Sequence, residues 1–267
     1  MRRHNRTVLA GAASALIACA GASPATALTA STSTADQARL DAAIDAFEQR
    51  MTDAGWMGEP AEEGEDDAEG EDDSAMGDDE FNACLGELAF IFENVDDDEF
   101  PGQTGMRESL EFTYLPEGAV PETTEEFSFE LEAEETAAAI AVSVEESSIE
   151  LLDSFVDAIG AKETGDCMRE AMEAEMAADA TDEEMPISDF SFEVENEADL
   201  GIGDRSARLT FGLAAELMGI EFALDMDMYL VRVGRDLVIV IHGTFGEVVT
   251  MSGFDPLAEL QTIVDSL

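Results

Sequence analysis

The chain has 267 residues, 45% of them apolar, and sets 63 acidic residues against 12 basic ones, for a formal charge of −51. Its length and apolar content allow one large domain or two small ones. The charge excludes nucleic acid and anionic membrane surfaces as partners, because the same field would repel both.

Lys162 is the single lysine. Acidity spread along the folded region with almost no lysine suits a protein that stays hydrated in salty surroundings, where self-repulsion is screened at short range.

Residues 1–30 read as an export signal. Arg2, Arg3, His4 and Arg6 form a positive n-region, Val8 to Ala18 an apolar h-region, and Ala25-Thr26-Ala27 a small-residue cleavage site. A second reading stands beside it: Leu16-Ile17-Ala18-Cys19 resembles the lipobox of bacterial lipoproteins, which implies that Cys19 is lipidated and begins the mature chain. Either way the mature chain is expected outside the cytoplasm, freely secreted or lipid-anchored. No later apolar run approaches the roughly 20 residues that span a bilayer, so membrane contact is expected only through the leader or a lipid. With Cys19 set aside, Cys84 and Cys167 form an even pair in an oxidising compartment and are predicted to bridge. Two separate buried thiols are the other reading.

In residues 31–57, Leu40, Ile44, Phe47 and Met51 recur at helical spacing, with Arg39, Asp41, Asp45 and Arg50 around them. This predicts an amphipathic helix to about Ala54, stopped by Gly55. Its stripe is expected to dock on the chain's own domain, with Trp56 and Met57 pinning its end. Between Gly58 and Glu80, 13 of 23 residues are acidic and none is basic, which predicts a solvated, self-repelling, disordered linker over 58–80. Low-affinity calcium binding is the alternative, although the acids lack the fixed spacing of an EF-hand loop.

Residues 81–267 are expected to form the α+β domain. Cys84, Leu88, Ile91 and Phe92 share a helical face. Strands are predicted at Leu110 to Leu115, Phe127 to Leu131 and Ala138 to Val144. Ser147 or Ser148 then caps a helix carrying Ile149, Leu152, Phe155, Val156 and Ile159, which Gly160 ends. A second cysteine-bearing helix starts near Asp166, with Met168, Ala171, Met172 and Met176 on its apolar side. An internal echo, Phe127-Ser-Phe-Glu-Leu-Glu-Ala-Glu134 against Phe190-Ser-Phe-Glu-Val-Glu-Asn-Glu197, divides the region into two related halves, 81–162 and 163–267. The halves are expected to share one sheet or to pack face to face.

The second half is the better patterned. Phe190 to Glu195, Arg205 to Ala215, Ile220 to Val233 and Leu237 to Phe245 predict an antiparallel meander, with turns near Gly201-Ile202-Gly203, Met218-Gly219 and Gly234-Arg235. Positions 222, 224, 226, 228 and 230 are apolar, whereas Asp225, Asp227 and Tyr229 point the other way, to an acidic outer surface. Asp255-Pro256 opens a last helix whose Leu257, Leu260, Ile263, Val264 and Leu267 are expected to face the sheet. The fold class is therefore α+β, an antiparallel β-sheet meander covered by helices.

A glycine-aspartate turn in Leu200-Gly-Ile-Gly-Asp-Arg-Ser-Ala207 leads into a strand. A strand ending Val231-Arg-Val-Gly-Arg235, a valine-rich strand and a terminal helix follow. Residues 187–267 thereby resemble the extracytoplasmic sensor-like domains of actinobacterial lipoproteins and receptor kinases. The resemblance implies ligand or partner binding instead of catalysis, and it assigns no site residue.

No catalytic residue, cofactor site or metal ligand can be assigned from the residues themselves. His4 lies in the leader, His242 stands alone, and no G-x-S-x-G, H-E-x-x-H, P-loop or C-x-x-C occurs. Leu224, Met226 and Met228, on the inward face of the longest strand, are candidates to line a pocket for an apolar ligand, and they fill a core equally well. The expected function is a non-enzymatic binding or sensor-like module of the cell envelope with an unknown protein partner. The alternative is a carrier of a small hydrophobic ligand in a sheet–helix cavity.

Overall fold

A computed structural model describes residues 33–59, 84, 100–114, 134–179, 187–217, 220–245 and 252–267. The leader with Cys19, the acidic run beyond Glu59 and the strand expected at Phe127 to Leu131 lie outside these residues. In chain order the elements are α1 (Thr34–Asp53), β1 (Met57–Glu59), β2 (Gln103–Glu108), β3 (Glu111–Tyr114), β4 (Glu134–Val144), α2 (Ile149–Ile159), α3 (Lys162–Asp179), β5 (Ile187–Ala198), β6 (Arg205–Leu217), β7 (Ile220–Val233), β8 (Asp236–Phe245) and α4 (Pro256–Ser266). No helix among the described residues is long and apolar enough to cross a membrane.

The strands form one antiparallel eight-stranded sheet in the order β1-β3-β4-β8-β7-β6-β5, with β2 pairing β4 as well. Its centre is dictated by strands that are apolar on both sides. In β4, Ala137, Ala139 and Ala141 face one way and Val142 and Val144 the other; in β8, Val238 and Val240 oppose Leu237, Ile239 and Ile241. Such strands are stable only when both faces are covered. On the first face α2 and α3 set Leu152, Phe155, Val156, Ile159 and Met168 against Leu209, Met226, Met228, Leu230 and Ile239. On the second, α1 and α4 set Leu40, Ile44, Phe47, Leu260 and Ile263 against the β4 alanines, Tyr229, Val231, Val238 and Val240. The small alanines let α1 approach closely, and Phe47 meets Phe112 edge-on at 5.9 Å. Each fully buried Leu, Ile or Phe contributes about 2 kcal/mol.

The starts of α1 and α4 are set by local caps. Ser33 caps α1, its Oγ accepting from the Asp36 N–H at 3.4 Å, and Gly55, at φ +92°, ends it. Asp255 caps α4 by accepting from the Ala258 N–H at 3.2 Å. The turn between β5 and β6 depends on Gly203, at φ +65°, where a Cβ would come within 2.7 Å of the Arg232 carbonyl oxygen.

Several expectations are corrected. The folded body reaches back to Ser33 instead of starting at Phe81, because α1 buries its whole stripe on the sheet. Gly58 and Glu59 belong to β1, paired with Phe112 and Glu111, and not to the acidic linker. β2 carries no alternating apolar pattern; its pairing to β4 and two bonds between Gln37 and the Met106 backbone hold it. The cysteine-bearing helix begins at Lys162, a turn earlier than Asp166. Leu257 is 38% exposed: it sits in the first turn of α4, where side chains tilt past the helix start and away from the sheet. The outer side of β7 is not an acidic solvent face. Tyr229 is 5% exposed, because α4 lies on its side, opposite Met226 and Met228. The two halves share one sheet through β4 and β8, paired antiparallel over ten residue pairs. Of the first copy of the internal echo, residues 127–133 lie outside the described residues, and its last member, Glu134, begins β4.

Candidate functional site

The helix cover is uneven. On the α1 and α4 side, α1 lies over β2, β4 and β1, and α4 over β8 and β7, while Ser191, Glu193, Glu195 and Glu197 of β5 and Ala214 of β6 are exposed. Alternation along β5 places Phe192 and Val194 in the core under α2 and α3, so the intervening glutamates must face out on the other side.

Between this open face and α4 lies a half-buried row of polar groups. The register sets Thr210, Asp227 and His242 side by side, with Arg208, Tyr229 and Val240 on one flank and Gly212, Asp225 and Thr244 on the other. Asp227 is the hub. Its Oδ1 accepts from Arg208 Nε at 3.0 Å, Arg208 Nη2 at 2.8 Å and Thr210 Oγ1 at 2.6 Å, and its Oδ2 accepts from Tyr229 OH at 3.4 Å. The Arg208 guanidinium also lies 5.4 Å from the centre of the Tyr229 ring. Burial, with the Asp227 charge second, pushes the Tyr229 hydroxyl up to about 12. Asp225 is raised by burial first, then by Asp227 and Glu193. The missing side chain of Gly212 leaves room for that carboxylate, since a Cβ there would stand 3.1 Å from Asp225 Oδ1.

His242 ends the row. It is 8% exposed and its Nε2 is buried without a hydrogen-bond partner. Its ring lies 5.2 Å from that of Phe254, which in turn lies 5.3 Å from Trp56. Burial lowers its basicity more than Glu135 and Asp227 raise it. Glu135, fully buried on β4, accepts from the Ser252 N–H at 3.2 Å and from the Ser252 hydroxyl. Among the described residues no three His, Cys, Asp or Glu side chains converge as metal ligands would.

The residues singled out from the sequence fall elsewhere. Met226 and Met228 are buried in the cluster under α2, and Leu224 is half-buried opposite Leu213. Cys84 and Cys167 are joined in a disulfide with Cα atoms 5.6 Å apart. Cys167 lies in α3, and Cys84 packs against the cluster under α2 and α3. Sequence reasoning misses the Asp227 hub because Asp225 and Asp227 look alike in an alternating strand. Only cross-strand register brings Arg208 and Thr210 to one of them.

No protein family and no curated protein matches the sequence. A solved structure, the crystal structure of LpqN involved in cell envelope biogenesis of Mycobacterium tuberculosis, is distantly similar. The match covers 60% of this chain and 75% of that chain at 6% identity and a TM-score of 0.25, a likeness too slight to carry an argument.

Proposed function

We propose that the protein is an extracytoplasmic, non-catalytic binding module of the cell envelope, secreted or lipid-anchored, that receives a cationic protein partner on the open face of β5 and β6. The uneven helix cover carries this reading. Glu193, Glu195 and Glu197 stand exposed on one side of β5, about 6.8 Å apart, a regular row of carboxylates for a basic surface. The leader and the Cys84–Cys167 bridge support the compartment, since such bridges persist where the surroundings oxidise. The commitment of Asp227 to Arg208, Thr210 and Tyr229 supports the non-catalytic reading, because a carboxylate so engaged serves as an anchor and not as a base.

Native mass spectrometry of the protein purified from its own host tests the proposal. A protein partner in fixed stoichiometry, lost from the folded triple variant Glu193→Lys, Glu195→Lys, Glu197→Lys, is the expected result. A co-purifying lipid with no protein partner would favour the carrier reading, in which Leu224, Met226 and Met228 line the ligand site. Substrate turnover by the isolated chain would overturn both.

A further inference from the structure

The segment Ser252–Asp255 leads into α4 as a short strap over the end of the polar row. It is held at two points, by the bonds of Ser252 to Glu135 and by the Phe254 ring packed between His242 and Trp56, and the Phe254 N–H donates within it to Ser252 Oγ at 3.0 Å. The contact between Phe254 and His242 depends on charge. A neutral imidazole is a flat, weakly polar ring that a phenyl group can cover. An imidazolium needs an acceptor or water at each nitrogen, and Nε2 is buried with no hydrogen-bond partner from the protein.

The charged and titratable groups around the ring do not remedy this. Asp227, its cross-strand neighbour on β7, is engaged by Arg208 and Thr210 of β6 and by Tyr229. Asp225 lies one row further along β7, beside Thr244. On β4, Glu135 holds Ser252, and the residue directly opposite His242 is Ala137. From the α4 side, Asp255 is occupied in capping the helix. Tyr114 on β3 reaches only Trp56 among the rings of this group.

We propose that His242 is a proton-operated latch for this strap: while neutral it holds Phe254 down over Trp56, and once protonated it releases residues 252–254 to water while Asp255 keeps its cap and α4 stays seated. Opening hydrates Nε2 and frees Glu135 from Ser252, so that the carboxylate diagonal to His242 can pair with the new charge. Closing restores the ring stack and the Ser252 bonds. Leu260 and Ile263, fully buried, keep α4 docked throughout. The latch holds in whichever compartment the protein works.

Two single residues make the test direct. Trp56 is the one tryptophan of the chain, and His242 is the one histidine outside the leader. In the full folded chain, Trp56 emission and the His242 imidazole proton signals are followed from pH 8 to pH 5, with far-UV circular dichroism alongside. The expected result is a reversible red shift of Trp56 emission, with its midpoint at the His242 titration, unchanged secondary structure, loss of amide-exchange protection at Phe254, and no shift in His242→Phe. A shift that persists in His242→Phe would overturn the latch and assign the event to carboxylates. Titration of His242 without any shift in emission, or with a cooperative loss of secondary structure, would also overturn it. If His242→Phe does not fold, the wild-type midpoints decide: coincidence supports the latch, and separation by about one pH unit, a tenfold difference in proton affinity, overturns it.

Discussion

Arg39, near the start of α1, donates two hydrogen bonds to Asp236 at the start of β8, 197 positions away, one of them at 3.0 Å. Asp36, one turn earlier, accepts from Arg39 at 3.2 Å, Arg235 at 2.9 Å and Thr104 Oγ1 at 3.1 Å. The first helix is thus clamped to the β7–β8 turn and to β2, on the same face of the sheet as the last helix.

Because the Asp236 side chain is 3% exposed, its loss removes two buried acceptors from Arg39 and leaves the guanidinium with Asp36 as its one carboxylate partner. Asp236→Ala is expected to lower stability by about 2 kcal/mol. This is less than the loss of a fully buried pair, because Arg39 retains access to water. Urea denaturation at constant salt measures the change; a shift in midpoint within error of zero would contradict the clamp.

The Cys84–Cys167 bridge closes a sequence separation of 83 residues. On the chain-entropy argument, its removal in Cys84→Ser/Cys167→Ser is worth up to about 4.5 kcal/mol. Unfolding curves of wild type with and without reductant should differ, while those of the double variant should coincide.

The pH dependence has a defined sign. His242 is held below its ordinary 6.5 by burial, against Glu135 and Asp227; stability is therefore present at neutral pH and lost as pH falls below 6.5. Glu134, raised from 4.5 by burial, and Asp225, raised from 3.8 by burial and by Asp227, act oppositely. Their stabilising share is full below those ordinary values and is lost as pH rises through the folded ones. For Asp36 burial opposes ionisation, but the Thr104 hydrogen bond and Arg235 outweigh it, so its share is present above 3.8 and lost below. Urea midpoints against pH should fall just below 6.5 in wild type, and His242→Phe should remove that fall alone.

Leu260 and Ile263 of α4 are fully buried against Tyr229, Val231, Val238 and Val240. Leu260→Ala should cost about 3 kcal/mol. A chain ending at Gly253 should lose solubility, read by static light scattering; a monomeric, fully folded truncation would refute this packing.

With 63 acids and 12 bases, the ion pairs of the fold leave a large excess of like charge. Molar sodium chloride screens it to within about 3 Å. The thermal midpoint should rise by about 5 °C or more, corresponding to about 2 kcal/mol for a chain of this size. A midpoint that falls with salt would mean that ion pairs such as those of Arg39 with Asp236 and Asp36 outweigh the repulsion.

The helices α1, α2 and α4 and the meander β5–β8 were legible because each carries its own periodic pattern and its own cap or glycine stop. β2 was not, since Gln103 to Glu108 has no apolar alternation and is held by Gln37, far away in sequence. The pocket candidates Leu224, Met226 and Met228 could be named from one strand. The choice between core and pocket depends on Phe155 and Leu152, which pack from another element.

The amino-acid sequence by itself determined the α+β class, the strand and helix order of the second half, the acidic surface and the cysteine pair, because these depend on local spacing and composition. Only the tertiary structure decided which side of β7 is covered, and with it the meaning of Asp227 and His242. Alternation tells that two faces differ, but not which helix will lie on either. That choice is made by apolar stripes on α1 and α4, separated from β7 by up to nearly two hundred residues, finding the same side of the sheet.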